Sequence, residues 1–300
     1  MKMNHQSIKL NHSRRIVIKV GSSLLVDDEQ GVIQYEWLAA LADDVAQLQA
    51  RGQEVLIVSS GAIAVGRQYL QFLDGTLKLE EKQAAAATGQ VILANAWMMA
   101  LAKHDISTAQ ILLSPDDTET RRRHLNARAT MKTLLELKSV PVVNENDTVT
   151  TAEIRYGDND RLAARVAAML SADMLILLSD VDGLYTENPT QNSAATHLAE
   201  IDALTPEVLK MAGSANAAYA SGGMVTKLEA ARIATKAGCD MVICDGQSLR
   251  PLSRLRDGAR STLFHAGASP LTARKQWIAG ALSPKGSLTI DSGALSALRK

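Results

Sequence analysis

The stretch RRIVIKVGSSLLV (residues 14–26) sets a lysine, Lys19, inside an apolar run that otherwise reads as a buried strand. An ammonium buried without a partner is costly enough that the group would sooner lose its proton. An anion is therefore expected beside Lys19, and the Gly21-Ser22-Ser23 turn that ends the run marks where to look for it. Similar β-rich runs recur as EVLIVS (54–59), TAQILLS (108–114), VPVVN (140–144), DMLILLS (173–179) and DMVIC (240–244). Between them lie helical patterns near 36–50, 82–103, 120–138, 160–171 and 225–238. Alternation of this kind predicts repeated βαβ units: an α/β protein, a three-layer αβα sandwich with a mostly parallel central sheet.

Ligands of such folds bind outside the carboxyl ends of the strands, where loops and helix N-termini converge. The polar residues of this chain collect at those ends. Gly21-Ser22-Ser23 follows the first run, Ser59-Ser60-Gly61-Ala62 the second, Asn144-Glu145-Asn146-Asp147 the fourth and Ser179-Asp180-Val181-Asp182-Gly183 the fifth. Four loops then point to one crevice.

Composition excludes several classes. The 300 residues carry 32 basic and 32 acidic side chains, so no global field draws the chain to nucleic acid or to an anionic membrane. Cys239 and Cys244 stand without a second pair, which predicts core thiols in a reducing compartment and neither a disulfide framework nor a zinc site. MKMNHQSIKLNHSRR (1–15) lacks the apolar centre of a secretory leader, and no apolar run approaches the roughly twenty residues of a membrane span. A cytoplasmic protein is expected. YTENPTQNSAATH (185–197) reads as a surface connection, and the small residues of GSANAAYASGGM (213–224) as a mobile one.

Two glycine-bearing loops lead into helices, SSGAIAVG (59–66) and SGGMVTKLEAA (221–231), and both suit an anion, because glycine admits close backbone N–H donors and the helix start adds unsatisfied ones. Neither loop is a Walker A or a G-x-G-x-x-G sequence, and either could be an ordinary βα turn. What sets them apart is the pair of lysines, Lys19 and Lys227, each at a predicted strand or helix end. A lysine in the first turn of a helix is ordinarily solvated, so Lys227 gains meaning only beside Lys19. Two cations flanking one crevice suit phosphoryl transfer, where the protein mainly positions and neutralises.

NENDTVTTAEIRYGDNDRLAA (144–164) gathers acids and amides around Asp147, Asp158, Asn159 and Asp160. Asp158 and Asp160 can cap the helix that follows. Either can also lie near a magnesium ion shared with substrate phosphates, and Asp160 can instead hold the lysines in place. Asp147, at a different strand end, is better placed to meet a cationic group of a substrate. None of the six histidines falls in these loops. An alcohol acceptor would need a base there, whereas a carboxylate, with a pKa of roughly 4.3, is already ionised. The acceptor is therefore read as a carboxylate and the product as an acyl phosphate. Arg121-Arg122-Arg123-His124 reads as a solvated helix face, and the scattered Trp and Phe residues offer no platform for stacking nucleic-acid bases.

Taken together, IKVGSSLL, IVSSGAIAVG, LNAR, VPVVNENDTV, TAEIRYGDND, LLSDVDGLYT, GGMVTKLEAA and STLFHA resemble, in order from about residue 14 to 266, the amino acid kinase family. The NEND and GDND pieces point to its branch that phosphorylates the γ-carboxylate of L-glutamate, giving L-glutamyl 5-phosphate in the first step of proline biosynthesis. The resemblance implies ATP and magnesium as cofactors, with Lys19 and Lys227 stabilising the transferred phosphoryl group, Asp160 organising them and Gly61 offering a backbone N–H. It implies a glutamate site at Ser60, Asp147 and Asn159. The ATP site would comprise Lys19, Ser179, Asp180, Ser221, Gly222, Gly223, Met224, Val225, Thr226 and Lys227. It further implies inhibition by proline, a homo-oligomer (dimer or tetramer) and glutamyl phosphate reductase as a partner. The expected organisation is an N-terminal extension (1–13), a kinase domain (14–268) and the incomplete start of an RNA-binding-type PUA domain (269–300), too short to bury a core. Other readings are a different acyl or carbamate kinase of the same fold, such as acetylglutamate kinase or aspartokinase, and a non-catalytic amino-acid sensor or RNA-associated module. Intact Lys19, Asp160 and Lys227 argue against the last.

Overall fold

Strand β1 (Arg15–Val20) forms the middle of the sheet, and its neighbours explain its apolar sequence. It pairs in parallel with β2 (Glu54–Ser59) on one side and β5 (Met174–Ser179) on the other, so both edges are closed by main-chain hydrogen bonds and both faces are covered. The computed structural model describes residues 5–27, 31–72, 75–149, 159–212 and 223–273. Within these, β4 (Val140–Glu145) and β3 (Thr108–Leu113) extend the sheet beyond β2, and β9 (Asp240–Asp245), β10 (Ser261–Phe264) and β8 (Glu200–Ile201) extend it beyond β5. The order is β3-β4-β2-β1-β5-β9-β10-β8. All pairings are parallel except that of β10 with β9. A separate hairpin of β6 (Leu184–Tyr185) and β7 (His197–Leu198) brackets the polar stretch read as a surface connection, whose two end residues are thus strand residues.

The helices in chain order are α1 (His5–His12), α2 (Ser22–Leu25), α3 (Tyr35–Ala50), α4 (Ala62–Tyr69), α5 (Leu79–Ala102), α6 (Pro115–Glu119), α7 (Arg121–Glu136), α8 (Asn159–Leu170), α9 (Pro206–Lys210), α10 (Met224–Lys236) and α11 (Pro251–Arg256). Side chains alternate across a strand, and the two faces of β1 divide accordingly. Ile16, Ile18 and Val20 pack with Trp37, Leu38 and Leu41 of α3 and Leu93 and Trp97 of α5. Val17 joins the other core with Leu162 and Val166 of α8, Leu228 of α10 and Met131 of α7. Two cores on one sheet make the three layers read from the sequence. By alternation Lys19 shares the face of Val17, the face on which α8 and α10 begin.

Three details differ from the sequence reading. The helix expected over 120–138 is α7, but a further short helix, α6, precedes it: Ser114, Pro115 and Asp117 start a turn there, and Thr120, with an extended ψ of 117°, separates the two. β8, β10 and α4 are too short to give a periodic signal of their own. Helix α5 has 24 residues and is apolar enough to cross a membrane by composition. Half of its apolar window is buried in the protein, however, and Leu93 and Trp97 sit in the core, which marks it as a covering helix of the sandwich. Helix α1 packs on the same body: Leu10 is buried, Lys9 pairs with Asp240 at 2.6 Å, and the Gln53 amide donates to Leu10 and Ser13 carbonyls at 2.8 and 2.6 Å. Residues 213–222, most of the stretch expected to be mobile, and the 274–300 tail lie outside the described residues.

Candidate active site

The anion expected beside Lys19 is Asp160. Lys19 is 8% exposed, Asp160, the second residue of α8, is 0% exposed, and Lys19 Nζ lies 2.6 Å from Asp160 Oδ1. Asp160 Oδ2 lies 3.3 Å from the Nζ of Lys227, which is 5% exposed and therefore not the solvated first-turn lysine that its position alone would predict. Lysines 208 positions apart in the sequence thus meet on one carboxylate. Burial would push the Asp160 carboxyl up, but the two hydrogen-bonded ammonium groups outweigh it and hold the group below the usual aspartate value. Thr226 adds a hydroxyl 3.3 Å from Asp160 Oδ2, a contact with no signal of its own in the sequence. Two cations against one anion leave the cluster with a surplus positive charge in a poorly solvated place, which suits a phosphoryl group carrying several negative oxygens.

Beside this cluster the ends of β2 and β4 form the wall where the sequence locates an acceptor. The Asn159 side-chain amide donates to Ser59 O at 2.8 Å, Ser60 Oγ at 2.8 Å and Asn144 Oδ1 at 2.9 Å. Ser60 and Asn159 are therefore one unit, although 99 residues separate them. Trp97 Nε1 donates to Ser59 Oγ at 2.9 Å, and Asn144 Nδ2 to Gln90 Oε1 at 2.7 Å. Gly61 has φ +99°, a left-handed conformation, and a Cβ there would sit 3.0 Å from Val26 Cγ2 and 3.9 Å from Ser22 Cβ. Only glycine lets the main chain pass this close to the β1 turn and enter α4 with its N–H groups forward. Asp147 is half-buried in the turn after β4.

The opposite wall comes from β5, β9 and α10. Ser179 ends β5 and its hydroxyl donates to Asp180 Oδ1 at 2.9 Å, while its carbonyl accepts from Gly246 N at 2.7 Å. Gly223, Met224, Val225, Thr226 and Lys227 start α10, with Gly223 at the N-cap. The structure thus brings Lys19, Asp160, Lys227, Ser60, Gly61 and Asn159 to the β1–β2–α8 end, with Ser179 on the adjoining strand. Ser221, Gly222 and Asp158 lie outside the described residues.

Magnesium fits this donor set in one way. Both Asp160 oxygens face ammonium groups, and among the described residues no group of three His, Cys, Asp or Glu side chains is arranged to hold a metal. An ion that brings phosphate and water as most of its ligands needs no such group. Cys239 and Cys244 are buried; burial, with Asp240 and Asp173 adding to it, pushes the Cys239 thiol well up, and burial with Asp245 pushes Cys244 up to about 12. Neither is a nucleophile near neutral pH.

Gln90 and Asn144 are the site-wall residues to which the sequence reading gave no role. Gln90 had a faint signal, one of two amides, with Asn95, inside the apolar helical run GQVILANAW (89–97).

Comparison with known proteins gives the family. Residues 14–245 match the model of the amino acid kinase family. The chain is 58% identical over 286 residues to glutamate 5-kinase of Paramagnetospirillum magneticum, covering 95% of this chain and 77% of that one. It is 57% identical over 293 residues to glutamate 5-kinase of a Bradyrhizobium species, covering 98% and 78%. The crystal structure of UMP kinase from Ureaplasma parvum superposes with a TM-score of 0.59 at 17% identity, over 85% of this chain and 99% of that one, a likeness of fold alone. With its family model spanning the sheet from β1 to β9 and its motifs gathered at the strand ends, the chain belongs to the amino acid kinase family.

Proposed function

We propose that this chain transfers the γ-phosphoryl group of ATP to the γ-carboxylate of L-glutamate, giving L-glutamyl 5-phosphate and ADP, the first step of proline biosynthesis. The observation that carries the reading is Asp160 held between Lys19 and Lys227, next to the Ser60–Asn159 pair. Two anions must approach each other, and their repulsion is the main electrostatic obstacle. Lys19 and Lys227 offset it by drawing charge from the phosphoryl oxygens as the bond to ADP loosens. Asp160 keeps both ammonium groups aimed and takes no proton in the reaction. The Gly61 N–H points at the phosphoryl group from the acceptor side. The glutamate carboxylate attacks in its ionised form, so no base is needed.

Asp147 meets the substrate ammonium, and Ser60 and Asn159 satisfy its remaining polar atoms. Ser179, Asp180 and the segment from Ser221 to Lys227 hold the nucleotide. Magnesium bound to the ATP phosphates would neutralise charge on them. Proline competes at or near the glutamate site, glutamyl phosphate reductase takes the unstable product, and the reaction runs in the cytoplasm. A homo-oligomer, dimer or tetramer, is favoured by the outward face of α5, where Val91, Met98 and Met99 are exposed. Light scattering checks the assembly. The activity is tested by trapping the acyl phosphate with hydroxylamine: glutamate- and ATP-dependent hydroxamate is expected, and its absence with pure folded protein would refute the assignment.

A further inference from the structure

Gln90 lies in none of the strand-end loops, yet its side chain reaches their polar network. It is 7% exposed, on the inward side of α5, and its Oε1 accepts from Asn144 Nδ2 at 2.7 Å. Asn144, itself buried, turns its other amide atom, Oδ1, to Asn159 Nδ2 at 2.9 Å and to Glu145 N at 2.9 Å. The chain of contacts therefore runs Gln90, Asn144, Asn159, Ser60. It has a direction. The two amide hydrogens of Asn159 are shared among three acceptors, Ser59 O, Ser60 Oγ and Asn144 Oδ1, which leaves its own carbonyl oxygen on the far side of the planar group. An amide oxygen there accepts from an ammonium; an amide nitrogen would repel one.

The direction holds only while Asn144 presents oxygen to Asn159. Turning the Asn144 amide end for end would set two NH₂ groups against each other. The Glu145 N–H opposes that turn from one side, and Gln90, by accepting from Nδ2, opposes it from the other. Without the Gln90 oxygen, Asn144 Nδ2 is a buried donor lacking an acceptor, and rotating away to find one takes Oδ1 off Asn159. Gln90 is also held in place independently of Asn144. The neighbouring Gly89 lets α5 meet α4 so closely that a Cβ would lie 1.8 Å from Ala62 O, and Gly66 of α4 is in the same position against Ala85 O, also 1.8 Å. Since α4 begins directly after Gly61, this crossing ties the backbone carrying Gln90 to the loop carrying Ser60.

We infer that Gln90 is a positioning residue for the acceptor, orienting Asn159 through Asn144 from outside the substrate's reach. The inference rests on the acceptor-site reading of Ser60 and Asn159. Steady-state kinetics on the full chain, with glutamate and ATP varied separately, test it using Gln90→Leu, Gln90→Glu and Asn159→Ala. Gln90→Leu keeps the bulk and removes the acceptor; it is expected to raise the glutamate KM about tenfold and leave the ATP KM within about twofold. Gln90→Glu restores an oxygen acceptor and is expected to recover most of the loss. If Gln90→Leu leaves the glutamate KM unchanged while Asn159→Ala raises it, or shifts both KM values alike, the inference is overturned and the acceptor reading stands. If Asn159→Ala also leaves the glutamate KM unchanged, the acceptor reading itself fails and takes the inference with it. Should Gln90→Leu not fold, Gln90→Met replaces it with the same outcomes.

Discussion

The two walls of the crevice are built differently. The acceptor wall is a net of side chain to side chain hydrogen bonds between residues far apart in sequence: Ser60 with Asn159, Asn159 with Asn144, Asn144 with Gln90, and Ser59 with Trp97. The nucleotide wall is held through the main chain. Gly246 N donates to Ser179 O at 2.7 Å, Trp37 Nε1 donates to Gly246 O at 2.7 Å, and Thr226 Oγ1 to Gly223 O at 2.7 Å. Under the proposed function, the difference matches what each wall would recognise. Phosphates are bound by backbone N–H groups and cations, which tolerate many neighbours, whereas a small amino acid is told from its analogues by where a few polar atoms point. Lys19 of β1 and Lys227 at the start of α10 join the two walls through Asp160.

The largest effect is expected at that junction. Lys19→Ala should lower kcat by about 10³-fold, the scale for losing an oriented charge in a site shielded from water, with a smaller effect on either KM. Near-normal turnover would show that the junction is structural only. Next, Asp147→Ala should raise the glutamate KM about tenfold or more and leave the ATP KM unchanged; a rise in both would erase the contrast between the walls.

A third expectation concerns acid. Asp160 titrates below the ordinary 3.8 when folded, so its contribution to stability is fully present above that value and lost as pH falls beneath it. Denaturation curves of the protein and of Asp160→Asn should therefore differ at neutral pH and converge on acidification; a gap independent of pH would mean that the carboxylate charge is not what matters. The smallest effect is at α6, none of whose residues the proposed site uses. Burial tends to raise the Asp117 carboxyl, but hydrogen bonds from the Ser114 hydroxyl and N–H, with Arg123, lower it overall. Asp117→Ala should cost about 1 kcal/mol of stability, seen as a shift in denaturation midpoint, with both KM values unchanged.

Legibility in the sequence followed the same division. Lys19 was readable because a charge in an apolar strand demands a partner, the parallel sheet because β-rich runs alternate with helical patterns, and the crevice because β1, β2, β4 and β5 each end in glycine, serine or amide residues. Lys227 was not readable alone, since a lysine at a helix start is usually solvated; its burial arises from the packing of α10 on α8. Gln90 was nearly invisible, because amides scattered along a long apolar helix have no periodic signature, and its meaning depends on a contact with a residue 54 positions away. The antiparallel β10 and the two-residue β8 escaped because strands that short are defined by their partners and not by their own pattern.

The central claim is that Lys19 and Lys227, fastened to one carboxylate, jointly grip the phosphoryl group as it passes to glutamate. A crystal structure with a non-hydrolysable ATP analogue, magnesium and glutamate tests it most directly. Both ammonium groups within about 3 Å of γ-phosphoryl oxygens, with the glutamate γ-carboxylate facing the phosphorus, is the predicted result. A γ-phosphate bound away from either lysine would contradict it.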